Sequence, residues 1–100
     1  MDKKWFQSNV HKIANFCKKH HIDSFSLFGS ILGSHFNEAS DVDILVNFEK
    51  NHIPDFFTLA DMETELELLI GRKVDLKTPE DLSPYFRNEV LSNAELIYAA

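Results

Sequence analysis

The stretch Asp41-Val42-Asp43-Ile44-Leu45-Val46-Asn47-Phe48 decides the fold. Its residues alternate, with Val42, Ile44, Val46 and Phe48 on one side and Asp41, Asp43, Leu45 and Asn47 on the other. Period two is the signature of a strand with one buried face. Aspartate is depleted in strands, so two within one apolar strand need a reason. At a rise of roughly 3.3 Å per residue they lie about 6–7 Å apart on the same face. If both are ionised they repel by roughly 2–3 kcal/mol at an effective dielectric of about 20. A divalent cation would turn that repulsion into attraction, and carboxylate oxygens are the ligands magnesium prefers. A solvent-facing pair at a strand start would cost little, so a bare Asp-x-Asp fits either reading.

Working outward, Ser24-Phe25-Ser26-Leu27-Phe28 is a second short apolar strand, ending at Gly29-Ser30. Such a turn offers backbone N–H groups and a hydroxyl to an anion, although a strand followed by Gly-Ser is usually only a turn. Ile31 to Phe36 is a short helix or turn, and Asn37 to Ser40 a loop. On the far side, Pro54-Asp55 opens a helix whose apolar side is assigned to Phe56, Leu59, Ala60, Met62, Leu66, Leu69 and Ile70, with Glu63, Glu65 and Glu67 largely away from it. Gly71 stops it. Lys73 to Lys77 is a third strand, with Val74 and Leu76 toward the core and Asp75 opposite. A helix of this length serves as a right-handed crossover between parallel strands. If the two strands are neighbours, three carboxylates project from one face.

The flanks complete the pattern. Lys3 to His20 reads as one amphipathic helix, capped by Asp2, with Phe6, Val10, Ile13, Ala14 and Cys17 at helical spacing. Thr78-Pro79-Glu80-Asp81 is a helix start, Tyr85 to Leu91 a last short helix and Glu95 to Tyr98 an edge strand. The order argues for one α/β domain over residues 1–100, with a small mixed sheet covered by helices on one face.

Composition limits the partners. The chain has 100 residues, 44% hydrophobic and 26% charged, with a net charge of -6. So acidic a chain is a poor match for a polymeric nucleic-acid backbone, but a metal ion can still bridge it to one nucleotide. One cysteine, Cys17, forms neither an intrachain disulfide nor a multi-cysteine zinc site. With no apolar run of about 20 residues and no signal-peptide pattern, a reducing cytoplasm is expected and a membrane is not. The five histidines lack a metal-ligand spacing with cysteine. The nine phenylalanines are mostly assigned to the core.

Gly29-Ser30, ten residues, then Asp41-Val42-Asp43 is a Gly-Ser-x10-Asp-x-Asp pattern. With Ser26-Leu27-Phe28-Gly29-Ser30, Ser40-Asp41-Val42-Asp43-Ile44-Leu45-Val46, Gly71-Arg72-Lys73-Val74-Asp75-Leu76 and Thr78-Pro79-Glu80-Asp81-Leu82, it resembles the minimal nucleotidyltransferases of the DNA polymerase β superfamily. The resemblance spans about residues 22–98, leaving out the helix within 1–20. It implies a palm-like fold and transfer of a nucleoside monophosphate, foremost AMP from ATP, to a hydroxyl. Asp41, Asp43 and Asp75 would be the catalytic residues and the ligands of two Mg²⁺ ions, with Asp75 helping to activate the acceptor. Gly29 and Ser30 would hold the triphosphate. Small members commonly pair with a HEPN-domain toxin and act as antitoxins by adding AMP to its tyrosine, so a HEPN-type partner is expected. One departure stands out. Many members read Gly-Ser-Arg-x-Arg-Gly at the turn, whereas here Gly29-Ser30-Ile31-Leu32-Gly33-Ser34 lacks both basic residues. Lys73 and Lys77, on the strand face of Asp75, are the substitutes if they are not merely solvated. The same departure keeps open a second reading, a palm-like module that binds a partner without turnover.

Overall fold

The computed structural model describes residues 1–100. Four helices, α1 (Lys3–Ser8), α2 (Val10–Lys19), α3 (Phe56–Ile70) and α4 (Arg87–Asn93), accompany four strands, β1 (Ile22–Phe28), β2 (Val42–Phe48), β3 (Val74–Lys77) and β4 (Glu95–Ala99). Two 3-10 turns, Gly29–Leu32 and Pro79–Asp81, follow β1 and β3. The sheet order is β3-β2-β1-β4. Only β2 and β3 are parallel, joined through α3; β1 runs antiparallel to both β2 and β4. The mixed α/β sheet expected from the element order is therefore what forms, including the final edge strand.

The alternation in β2 has the expected sense, because Val42, Ile44 and Val46 are fully buried. They join Phe25 and Leu27 of β1, Val74 and Leu76 of β3, and the inward residues of α1, α2 and α3 in one core cluster. α4 contributes no buried residue. Leu45, on the opposite face of β2, is also buried but outside that cluster. β1 starts two residues earlier than its apolar core suggests. A register irregularity between Ile22 and Ser24 lets Ile22 share the inward face with Phe25, although three positions separate them.

Two expectations need correcting. The first helix is two helices broken at Asn9, whose φ of -121° and ψ of 30° are not helical. Its side-chain amide donates to Trp5 O at 2.7 Å, the local competition with the backbone that makes asparagine a poor helix interior residue. The apolar side assigned to α3 is also too wide. Met62, Leu66 and Ile70 are buried and Leu59 packs against the cluster, but Phe56 is 78% exposed and Ala60 and Leu69 are exposed too. A sheet this small covers only one narrow stripe of the helix. Nor do all the phenylalanines enter the core: Phe56, Phe57 and Phe86 are exposed.

The glutamates of α3 serve the sheet. β3 is an edge strand, and its outward N–H groups would lack partners. Val74 N–H donates to Glu67 Oε2 at 3.0 Å and Leu76 N–H to Glu63 Oε2 at 2.9 Å. These carboxylates occupy the edge that another strand could otherwise pair with. Glu65 instead accepts from Lys19 Nζ at 3.0 Å and lies 3.2 Å from His20 Nε2, tying α3 to the end of α2.

Candidate functional site

The site forms where β1 ends and β2 and β3 begin. Parallel pairing in register sets Asp43 directly beside Asp75, as Val42 is set beside Val74. Antiparallel pairing on the other side sets Phe28 opposite Asp43, so the chain leaves β1 at Gly29 against the same carboxylate. The sheet thus brings Asp43, Asp75, Gly29 and Ser30 together, with Asp41 one residue ahead of β2. Both strand adjacencies expected from the crossover and the turn are present.

Gly29 is left-handed, with φ +74°, and a β-carbon built there would fall inside the Asp43 carboxylate. A glycine is therefore required twice over, by backbone conformation and by the close approach of Asp43. The 3-10 turn that follows is anchored by apolar side chains: Ile31 is buried and Leu32 packs against the core. Ile31, which stands where the Gly-Ser-Arg-x-Arg-Gly pattern has its first arginine, is thus part of the core.

Burial pushes the Asp43 carboxyl above the ordinary aspartate range, and the neighbouring carboxylates of Asp75 and then Asp41 push the same way, while Lys77 and the Ser30 N–H act against them. Burial is the larger cause, and the two like charges gathered beside it add to the shift. Lys77 Nζ lies 3.4 Å from Asp75 Oδ1, so one of the two lysines proposed from the sequence does reach the cluster. Lys73 is exposed. As the side chains stand, no group of three acidic, histidine or cysteine residues is close enough to hold a metal ion. The donors gathered here are nevertheless all hard carboxylate oxygens, the set suited to Mg²⁺.

Beside the carboxylates, a groove of about 310 Å³ runs between α3 and β3, lined by Phe56, Leu59, Glu63, Asp75, Lys77 and Asp81 among others. Asp81, on its lining, makes the expected capping pair with Thr78: Asp81 Oδ2 accepts from both the N–H and the hydroxyl of Thr78, each at 3.0 Å. The sequence reading assigned no role to Arg72, which stands between Gly71 and β3 and holds the loop before Asp41.

No helix is long and apolar enough to cross a membrane. Cys17 is fully buried in the core, where burial pushes its thiol up to about 12.

Known proteins are similar to this chain in sequence and in fold. The protein adenylyltransferase MntA of Thermococcus cleftensis is 36% identical over 77 residues, covering 77% of this chain and 74% of that protein. A structure described as a candidate minimal nucleotidyltransferase superimposes with a TM-score of 0.75 at 30% identity, covering 98% of this chain and 96% of the other. A structure described as tri-AMPylated Shewanella oneidensis HEPN toxin in complex with MNT antitoxin shares the fold, with a TM-score of 0.69 at 21% identity over 95% of this chain and 73% of that one. The family model described as polymerase beta, nucleotidyltransferase, matches residues 11–100, a span that takes in the whole sheet, the turn and all three aspartates. On that match this chain belongs to the polymerase beta nucleotidyltransferase family.

Proposed function

We propose that this protein transfers AMP from ATP to a hydroxyl of a partner protein, a tyrosine of a HEPN-type toxin, and so acts as its antitoxin. The observation that carries the reading is the register of β2 against β3, which sets Asp43 beside Asp75 at the mouth of the Gly29-Ser30 turn. The relatives named as a protein adenylyltransferase and as a HEPN toxin with its MNT antitoxin support the acceptor class.

Asp41, Asp43 and Asp75 would hold two Mg²⁺ ions, which when bound supply charge neutralisation for the triphosphate and for the leaving diphosphate. The chain's own residues do the rest. The turn at Gly29-Ser30 presents the Ser30 hydroxyl to the phosphates, while the Ser30 N–H is directed at Asp43. Asp75, on the rim of the groove between α3 and β3, accepts the proton of the acceptor hydroxyl. That oxygen bonds to the α-phosphorus as the bond from the α-phosphorus to the diphosphate breaks, and diphosphate leaves. Lys77, beside Asp75, supplies positive charge that the turn lacks.

One feature favours a second reading, a binding module without turnover. Ile31 and Leu32 are committed to packing, so the turn brings no cation to the triphosphate. A single experiment separates the two. The chain is incubated with a HEPN-domain partner, Mg²⁺ and each nucleoside triphosphate in turn, and the partner's intact mass is measured. Transfer adds one or more nucleoside monophosphates with the wild type and none with Asp41→Ala/Asp43→Ala. A stable complex with no mass gain overturns the transferase reading in favour of the binding module.

A further inference from the structure

Asp41 lies outside the sheet. β2 begins at Val42, whose N–H donates to Lys73 O at 2.9 Å, and the segment 33–41 before it belongs to no helix or strand. Local bonds fold that segment on itself: Ala39 N–H donates to Asn37 Oδ1 at 2.8 Å, and Asn37 N–H to Ser40 Oγ at 3.2 Å. They do not determine where it sits relative to Asp43 and Asp75.

Arg72 does. Its Nη2 donates to Asn37 O at 2.7 Å and to Ser40 O at 2.8 Å. Its guanidinium carbon stands 4.7 Å from the centre of the Phe36 ring, and Phe36 packs against the core. One planar side chain thus grips the loop at three residues, the last of them directly before Asp41. Arg72 itself has little freedom. It follows Gly71, the left-handed cap of α3, and precedes β3, three residues ahead of Asp75. The clamp therefore joins the approaches to both carboxylate-bearing strands.

We infer that Arg72 is a positioning residue: by clamping residues 36–40 it holds Asp41 in place relative to Asp43 and Asp75, without itself touching the nucleotide. The inference rests on the carboxylate site proposed above. The chemistry requires arginine. Two carbonyls accept charge-assisted hydrogen bonds from one group that also lies over a ring, which a planar, delocalised guanidinium provides and a compact ammonium does not. Arg72→Lys keeps the charge and loses the clamp.

The test measures metal binding apart from turnover. Mn²⁺ binding to the full chain, in the presence of a non-hydrolysable ATP analogue, is followed by the electron paramagnetic resonance signal of free Mn²⁺ for wild type, Arg72→Lys, Arg72→Gln and Asp43→Asn. Folded fraction is measured in parallel by circular dichroism. Both Arg72 variants are expected to weaken Mn²⁺ affinity about 10-fold or more, the usual effect of losing a group that orients a ligand. The Mg²⁺ concentration for half-maximal transfer should rise by the same factor, with most of the rate recovered at saturating Mg²⁺. That split between affinity and rate is what general destabilisation does not produce. If Arg72→Gln fails to fold, Arg72→Lys and Phe36→Leu carry the test. Wild-type Mn²⁺ affinity in folded Arg72 variants, with Asp43→Asn binding none, overturns the positioning role alone. Wild-type affinity in Asp43→Asn overturns the carboxylate site, and this role with it.

Discussion

Gly29→Ala should separate catalysis from stability, because a second glycine supplies the control. Gly29 and Gly71 have nearly the same backbone, φ +74° and φ +78°. An L-residue in that left-handed conformation costs roughly 1–2 kcal/mol. For a domain of this size each kcal/mol lowers Tm by about 4–8 °C, so strain alone predicts a fall of roughly 4–16 °C for either substitution. The surroundings then divide them. A methyl group at 71 meets nothing within 4 Å, whereas one at 29 overlaps the Asp43 carboxylate and must displace it. Misplacing a reacting group by about 1 Å can cost 100-fold in rate. Gly71→Ala should therefore lose stability and keep transfer within a few-fold of wild type. Gly29→Ala should lose at least as much stability and about 100-fold in transfer. Both are read by thermal melts and by intact-mass time courses at a temperature where each variant is folded. Near-wild-type transfer in folded Gly29→Ala, or equal losses in the two variants, would refute the close approach of Asp43 as a catalytic requirement.

The raised Asp43 pKa has a defined sign in stability. The fold disfavours the charged form, so this contribution is fully present below the unfolded pKa and lost as pH rises through the folded one. In metal-free buffer Asp43→Asn should raise Tm at neutral pH, with the gain shrinking as the pH falls through that range; a lower Tm for the variant at neutral pH would contradict the burial of this carboxyl beside two like charges. Along α3, Leu66→Ala should cost about 2–5 kcal/mol in chemical denaturation. Phe56→Ser, at a residue 78% exposed, should change stability by about 0.5 kcal/mol or less, and a large loss there would mean that Phe56 is packed after all. Cys17, with its thiol pushed up to about 12 inside the core, should react with an alkylating reagent only as fast as the protein opens, so rapid labelling of the native protein would exclude its burial.

Much of this architecture is local and therefore readable along the chain. Alternation through Val42, Ile44 and Val46 declares a half-buried strand. Asp55 before α3 and Gly71 after it declare the helix ends, and the structure shows the Asp55 carboxylate accepting from Thr58 N–H at 2.8 Å. The break at Asn9 was missed because the apolar spacing continues through it, while the bond that ends the helix depends on one side chain's choice of partner. The misassigned flank of α3 has a different cause. Periodicity shows which residues share a side of a helix, but how much of that side is covered depends on the width of what lies beneath it.

The strands, the turn and the Asp-x-Asp pair are legible from local sequence, because each depends on residues close together in the chain. What those residues meet depends on packing between distant parts of the chain. Strand register set Asp43 beside Asp75 and pressed Gly29 against Asp43. The exposed edge of β3 drew in Glu63 and Glu67. The path of the loop before β2 gave Arg72 two carbonyls and a ring to hold. Such pairings join residues as far apart in the chain as Phe36 and Arg72. Register and loop path are settled when the whole core packs, by which neighbour satisfies each backbone group and which apolar face is covered.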